Sequence, residues 1–240
     1  MSSWGRFVEF FMYLIQYFYI FTEKLGVPNY GLAIIFFTIS IKAILFPLTL
    51  KQMRSMRALQ EIQPKVAEIQ KRYKGQPEKA QAEIMKLYKE KGANPFSGCL
   101  PLLVQMPVLF ALFSALQVFF NPAYLQRSKL HLPPGVDLSN AGFLWISNLG
   151  RPDHLILPVL TMLVTFLQQY LTSLTTTGKI DQSQRTMMIL MPIFIGWMAF
   201  SFPAGLALYW TVFTALSTVE MLVIRRMMWR AEKKEKEAKA

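Results

Sequence analysis

Hydrophobic and polar positions along this chain fall into long blocks rather than alternating at short range. Tyr30 to Leu50, YGLAIIFFTISIKAILFPLTL, is about 21 residues of nearly unbroken apolar character, the length at which a helix crosses a bilayer. The same pattern predicts four further spans, at 95–120, 155–176, 186–202 and 203–227, the last opening with the tight turn Pro203-Ala204-Gly205. Pro101 and Pro107 are expected to distort the second span. Residues 51–94 differ: Met53, Met56, Leu59, Ile62, Val66, Ile69 and Tyr73, then Ala80, Ile84, Leu87 and Tyr88, recur at helical spacing in a charged background. Lys74-Gly75-Gln76-Pro77 closes one helix and opens the next, so this segment is expected to be a helical hairpin outside the bilayer. An ordinary solvated basic loop is the plainer alternative. Its paired apolar stripes, though, call for a partner surface.

Residues 1–28 precede the first span. Within them 4–24 is strongly aromatic, and Glu9, Gln16 and Glu23 recur every seven residues with Tyr13 on the same stripe. This fits an amphipathic helix lying in the interface better than a span. An uncleaved signal sequence fits less well, because Arg6 alone forms its basic start and no small-residue cleavage site follows. The loops 121–154 and 177–185 and a basic tail, 228–240, expected to be a frayed helix or disordered, complete the plan. The fold class is therefore an all-α polytopic membrane protein with five transmembrane helices, an interfacial helix and a cytoplasmic helical hairpin.

Composition narrows the function. Charged residues make up 17% of the 240, against about 25% in a soluble domain, and 53% are hydrophobic. One cysteine, Cys99, rules out an internal disulfide framework, and His131 and His154 are too few for a histidine metal cluster. No phosphate-binding loop, nucleophile elbow or zinc-protease motif is present, so neither an enzyme nor a cofactor is expected. The net charge of +12 points to anionic partners such as lipid headgroups, RNA or acidic polypeptide segments. Of the 26 Lys and Arg residues, 20 lie in 51–94, 177–185 and 225–240, and five in 1–28, 121–152 and 201–205. The positive-inside rule places the hairpin and tail in the cytoplasm and the N-terminus outside.

The remaining cation, Lys42, sits roughly 12 Å inside the Leu50 end of the first span. An intramembrane ionisable group is a functional candidate by default, and snorkelling of its long stem to the interface is the alternative. Thr38 and Thr49 share its side of the helix. The third span carries Thr161, Thr165, Gln168 or Gln169, Thr172 and Thr176 on one face; the fifth carries Trp210, Thr214 and Ser217, with Tyr209 and Thr211 adjacent; the second contributes Gln105. Together with Lys42 these could line a wet, electropositive cavity, or serve as ordinary polar glue between membrane helices. The 14 methionines, clustered at 187–198 and 221–228, fill cores or face lipid, or else provide an adaptable apolar surface.

The order of these features resembles the YidC membrane protein insertases and their mitochondrial and chloroplast relatives. The resemblance is carried by the charged first span running into Phe46-Pro47-Leu48, the basic hairpin, and the block from Asn94-Pro95 through Gly98-Cys99-Leu100-Pro101 to Gln105-Met106-Pro107. Phe202-Pro203-Ala204-Gly205-Leu206 leading to Leu208-Tyr209-Trp210 completes it. It implies a five-span core in the bacterial plasma membrane with a positively charged hydrophilic groove, open to cytoplasm and lipid and closed outside. That groove would insert small membrane proteins without nucleotide. Lys42 would hold the place of the family's groove arginine, and Thr38, Gln169 and Trp210 would match other groove positions, with Gln105, Tyr209 and Thr214 beside them. The implied partners are nascent membrane protein substrates, the ribosome, the Sec translocon and anionic lipids. Lys42 departs from the family's usual arginine, keeping the charge and losing the planar fork. No large extracytoplasmic domain of the kind found in Gram-negative members is expected, since the chain resembles the short Gram-positive type. A small-solute anion transporter and a membrane-anchored ribosome-binding adaptor are the competing readings. The first would call for an internal repeat with broken helices, which is not seen, and the second leaves Lys42 without a role.

Overall fold

A computed structural model of the chain describes residues 3–92, 100–128, 130–136, 141–174 and 182–239. Eight helices occur among them: α1 Ser3–Lys24, α2 Tyr30–Arg72, α3 Pro77–Glu90, α4 Leu100–Phe120, α5 Pro122–Ser128, α6 Ile156–Ser173, α7 Gln182–Ala199 and α8 Ala204–Lys239. The fold is that of an all-α polytopic membrane protein, with α2, α4, α6 and α8 each long and apolar enough to cross a bilayer. The apolar part of α7, Met188–Ala199, is shorter than a full span.

Two helices run straight through boundaries expected from composition. α2 continues for 43 residues, about 64 Å, past both the charge transition at 50/51 and two internal prolines, Pro47 and Pro64. The composition changes there without a change of backbone, since Lys, Gln, Met, Arg, Leu and Glu are all good helix formers. α8 likewise passes 227/228 without a break, so of the two forms expected for the tail it takes the helical one, to Lys239. Its Ala, Glu and Lys content favours helix, and Lys233 pairs with Glu237 one turn on at 3.7 Å.

The remaining boundaries shift by smaller amounts. α2 ends at Arg72, Gly75 turns the chain at φ +89°, and Pro77 occupies the first turn of α3. α3 then folds back on α2, with Ile62 and Val66 buried on one helix and Ala80 and Ile84 on the other. Pro101 falls in the first turn of α4, where a missing N–H is harmless, so only Pro107 lies in the helix interior. The Asn94 to Cys99 block and Thr176 lie outside the described residues. α7 begins at Gln182, inside the segment expected to be a loop, and the expected loop 121–154 contains α5.

The apolar core gathers at one end of the bundle. α1 packs across the start of α2 and the second half of α4, and the first turns of α8 fill the space behind. Tyr19 stacks on Tyr30 with ring centroids 4.2 Å apart, and Phe11 meets Phe37 edge-on at 5.4 Å. Residues 141–151 lace the helix starts together. Asn29 caps α2 by accepting from Gly31 N and Leu32 N while its Nδ2 donates to Gly142 O, and Ala204 N and Gly205 N of α8 donate to Arg151 O and Leu149 O.

α1 does not carry the single polar stripe its sequence suggested. Gln16 is 3% exposed: its Nε2 donates to Gly135 O at 2.9 Å and its Oε1 accepts from Tyr30 Oη at 2.9 Å. Tertiary partners satisfy this polar group, so it turns inward, while Tyr13 and Glu23 stay exposed. The outward side is mainly aromatic, with Phe10, Tyr13, Tyr17 and Phe21 exposed.

Candidate functional site

Away from the core end the helices diverge around a groove of about 810 Å³. α2 lines it from Lys42 to Glu61 along positions three or four apart, and α8 from Trp210 to Trp229 in the same way. α6 adds Thr165, Gln168, Gln169 and Thr172, α4 adds Val104 and Gln105, and α7 adds Met191 and Ile195. The groove is closed at the end where Tyr209, Phe37 and Leu112 are fully buried, and it extends toward Arg57, Glu61 and Arg225 at the end that carries α3.

Of the residues singled out from sequence, Lys42, Gln105, Gln169, Trp210 and Thr214 come together in this wall, with Ser217 and Gln168 beside them. Thr38 does not reach it. Its side chain is fully buried and its hydroxyl donates back to Ile34 O at 2.6 Å, the bond a helical threonine makes when no external partner is offered. Tyr209 is also fully buried, behind the wall, where its hydroxyl accepts from Gln105 Nε2 at 2.8 Å and holds that amide in place. Thr161 is glue: its hydroxyl meets that of Thr211 at 2.7 Å across α6 and α8.

Lys42 is not the lone charge its neighbours in the sequence suggested. Its Nζ forms an ion pair with Glu220 Oε2 on α8 at 2.6 Å and lies 4.3 Å from the centre of the Phe213 ring. The two side chains are 12% and 9% exposed, so the pair is held largely out of solvent. Sequence reasoning passed over Glu220. The signal was present: Glu220 is the sole acidic residue in the block 203–227, and an ion in a span needs a counter-ion. With Arg57, Glu61 and Arg225 at the far end, the described residues of the groove include three cations and two carboxylates, a small net positive charge. Arg57 and Glu61 pair one turn apart at 3.3 Å.

Between these polar points the wall is apolar and adaptable. Met53, Met56, Met191, Met221 and Met228 line it with Leu45, Leu48, Ile195 and Phe213. Met53 and Met56, expected to serve the hairpin stripe, face the groove instead. Among the described residues no three His, Cys, Asp or Glu side chains gather closely enough to hold a metal ion.

α8 supplies the cross-links that shape the site. Tyr209 ties it to α4, Thr211 to α6 and Glu220 to α2, and Met221 Sδ accepts from Thr172 Oγ1 on α6 at 3.3 Å. Outside the groove, Asp153 secures the start of α6: its carboxylate accepts from Leu157 N at 2.6 Å, Leu155 N at 3.4 Å and Trp145 Nε1 at 3.1 Å.

Comparison with known proteins follows the same outline. The sequence profile of the family described as 60Kd inner membrane protein matches residues 20–233. The protein named membrane protein insertase YidC in Oceanobacillus iheyensis is 40% identical over 238 residues, covering 95% of this chain and 86% of its own length. The protein of that name in Clostridium perfringens is 40% identical over 215 residues, covering 87% of this chain and 84% of its own. That of Wolinella succinogenes is 41% identical over 202 residues, 83% of this chain, but this chain spans only 34% of that longer protein. A profile match over most of the residues that build the groove, with relatives aligned nearly end to end, means that this chain belongs to the 60Kd inner membrane protein family.

Proposed function

We propose that this protein is a membrane protein insertase that carries the polar part of a client through its groove without nucleotide hydrolysis. The observation that carries this reading is the groove itself: about 810 Å³, amide- and hydroxyl-lined, set among spans and closed at one end by the core. A polar group taken into hydrocarbon without a partner costs roughly 2–7 kcal/mol. The amides of Gln105, Gln168 and Gln169, the indole of Trp210 and the hydroxyls of Thr214 and Ser217 offer partners at that depth and lower this cost. The client's apolar segment then passes into lipid beside α6 and α8, and each CH₂ buried contributes about 0.8 kcal/mol. The methionine-rich wall suits clients of differing shape.

In this reading the membrane is a bacterial plasma membrane and α7 serves as the fifth span. The α3 end, with the hairpin and the C-terminal part of α8, lies in the cytoplasm and the N-terminus outside. The distribution of Lys and Arg supports that orientation. α1 lies in the outer interface with its exposed Phe10, Tyr13, Tyr17 and Phe21 toward lipid. The basic hairpin and tail are docking surfaces for anionic lipids, the ribosome or the Sec translocon, supported by their charge. The protein's partners are thus nascent membrane protein substrates and the machinery that delivers them.

Reconstitution tests the proposal. Proteoliposomes holding this protein alone are expected to integrate a purified small membrane protein, read by protease protection, with no nucleotide added. Integration no better than into empty liposomes refutes it.

A further inference from the structure

Lys42 already holds a carboxylate before any client arrives. Its Nζ donates to Glu220 Oε2 at 2.6 Å, its single hydrogen-bond acceptor among the described residues, and both side chains line the groove at 12% and 9% exposure. The contact is incompletely satisfied on both sides. An ammonium has several donors, and Lys42 spends one on Glu220 while lying 4.3 Å from the centre of the Phe213 ring. Glu220 Oε1 is buried and receives no hydrogen bond among the described residues. The neighbouring hydroxyls on its helix are engaged, Ser217 with Phe213 O and Thr218 with Thr214 O. An acceptor left buried and unfilled raises the energy of the closed pair, and release of Glu220 from Lys42 relieves that cost.

We propose that Glu220 is a built-in competitor of the client. It occupies Lys42 as a tethered stand-in for an acidic side chain of the carried segment, which takes its place during transit and gives it up again on release. This rests on the insertase reading above. The client's carboxylate approaches Lys42 from the groove, so the buried Oε1 of Glu220 is never a contact. A tethered carboxylate acts at an effective concentration on the order of millimolar. Dissolved anions below that level lose to it. A client carboxylate on a segment already lodged against Gln105, Gln169 and Trp210 is tethered too, and competes on equal terms. Two carboxylates crowded at one ammonium repel, so the gain of one expels the other. Glu220 thus makes Lys42 read acidic groups only on docked segments, and its return helps to clear the groove.

The test uses full-length protein in liposomes and two clients identical except for an aspartate or an asparagine in the carried segment. The first readout is the ratio of their affinities by co-flotation, acidic over neutral. E220Q removes the competitor and is expected to raise that ratio roughly tenfold, the weight of one charge-assisted hydrogen bond, with the neutral client as the control for general damage. The second readout uses wild-type protein and so does not depend on the folding of E220Q. A lipid-soluble carbodiimide condenses the Glu220 carboxyl with the Lys42 amine into an amide, the reagent leaving as its urea, and the joined peptides are measured by mass spectrometry. The internal amide is expected to form without client and to persist with the neutral client. Saturating acidic client is expected to replace it by an amide between Lys42 and the client's aspartate. A ratio not raised in folded E220Q, no internal amide in the client-free protein, or an internal amide that acidic client does not reduce overturns the proposal. Failure of wild type to insert either client above empty liposomes defeats the insertase reading instead.

Discussion

Replacing Lys42 by Leu is expected to destabilise the protein, although the change puts an apolar side chain where a cation stood in a membrane helix. The reason is Glu220. At an effective dielectric of about 20, unit charges at the 2.6 Å Lys42–Glu220 separation attract by about 6 kcal/mol. Desolvating each ion costs several kcal/mol, so the intact pair contributes little net stability, whereas removing one member leaves a buried charge without compensation, at about 3–5 kcal/mol. Lys42→Leu and Glu220→Leu should each lose that much. The double variant Lys42→Leu/Glu220→Leu should recover nearly all of it, or exceed wild type by about 1–4 kcal/mol. The assay is a double-mutant cycle on equilibrium unfolding in mixed micelles, with activity measured separately in liposomes. The double variant should be stable and yet defective in insertion. Wild-type stability in Lys42→Leu, or a double variant whose losses simply add, would refute the pairing argument.

Three further outcomes are expected. Asp153 lies outside the spans; partial burial raises its carboxyl pKa, but hydrogen bonds from Leu157 N, the Trp145 indole, Leu155 N and His154 N outweigh that and hold it below the usual carboxylate range. Its folded pKa being the lower one, its stabilisation is complete above about pH 4 and fades as pH falls through the folded value, so Asp153→Ala should cost about 1 kcal/mol at neutral pH and flatten the acid limb of a stability–pH curve. Gly31→Ala should cost about 1–3 kcal/mol in the same unfolding assay, since a methyl group there enters the Phe143 ring; an unchanged midpoint would deny that the 141–151 segment seals the start of α2. With Cys99 replaced, a cysteine at Lys71 should react with an impermeant reagent only from the cytoplasmic side and one at Leu144 only from outside, and labelling of Lys71→Cys in intact cells would invert the orientation.

Much of this protein is decided one element at a time and was therefore legible in the sequence. Hydropathy over some 20 residues marks a membrane helix whatever its neighbours are, and Gly75 followed by Pro77 turns the hairpin through local backbone geometry alone. The polar face of α8 at Trp210, Thr214 and Ser217 follows from helical spacing, and so do Gln169 and Lys42 on their own helices. What local pattern could not supply is which face meets which. Thr38 shares a face with Lys42, yet tertiary packing buries it fully and its hydroxyl bonds back to Ile34 O. Gln16 belongs to a polar stripe until Tyr30 and Gly135 satisfy it. The charge step at residue 50 falls inside one unbroken helix, so a change of hydropathy there marks no change of backbone. Lys42 and Glu220, 178 positions apart, become a pair only when α8 lies against α2. A buried charge acts through its distance to the opposite charge and the dielectric around both, and those are set by tertiary packing.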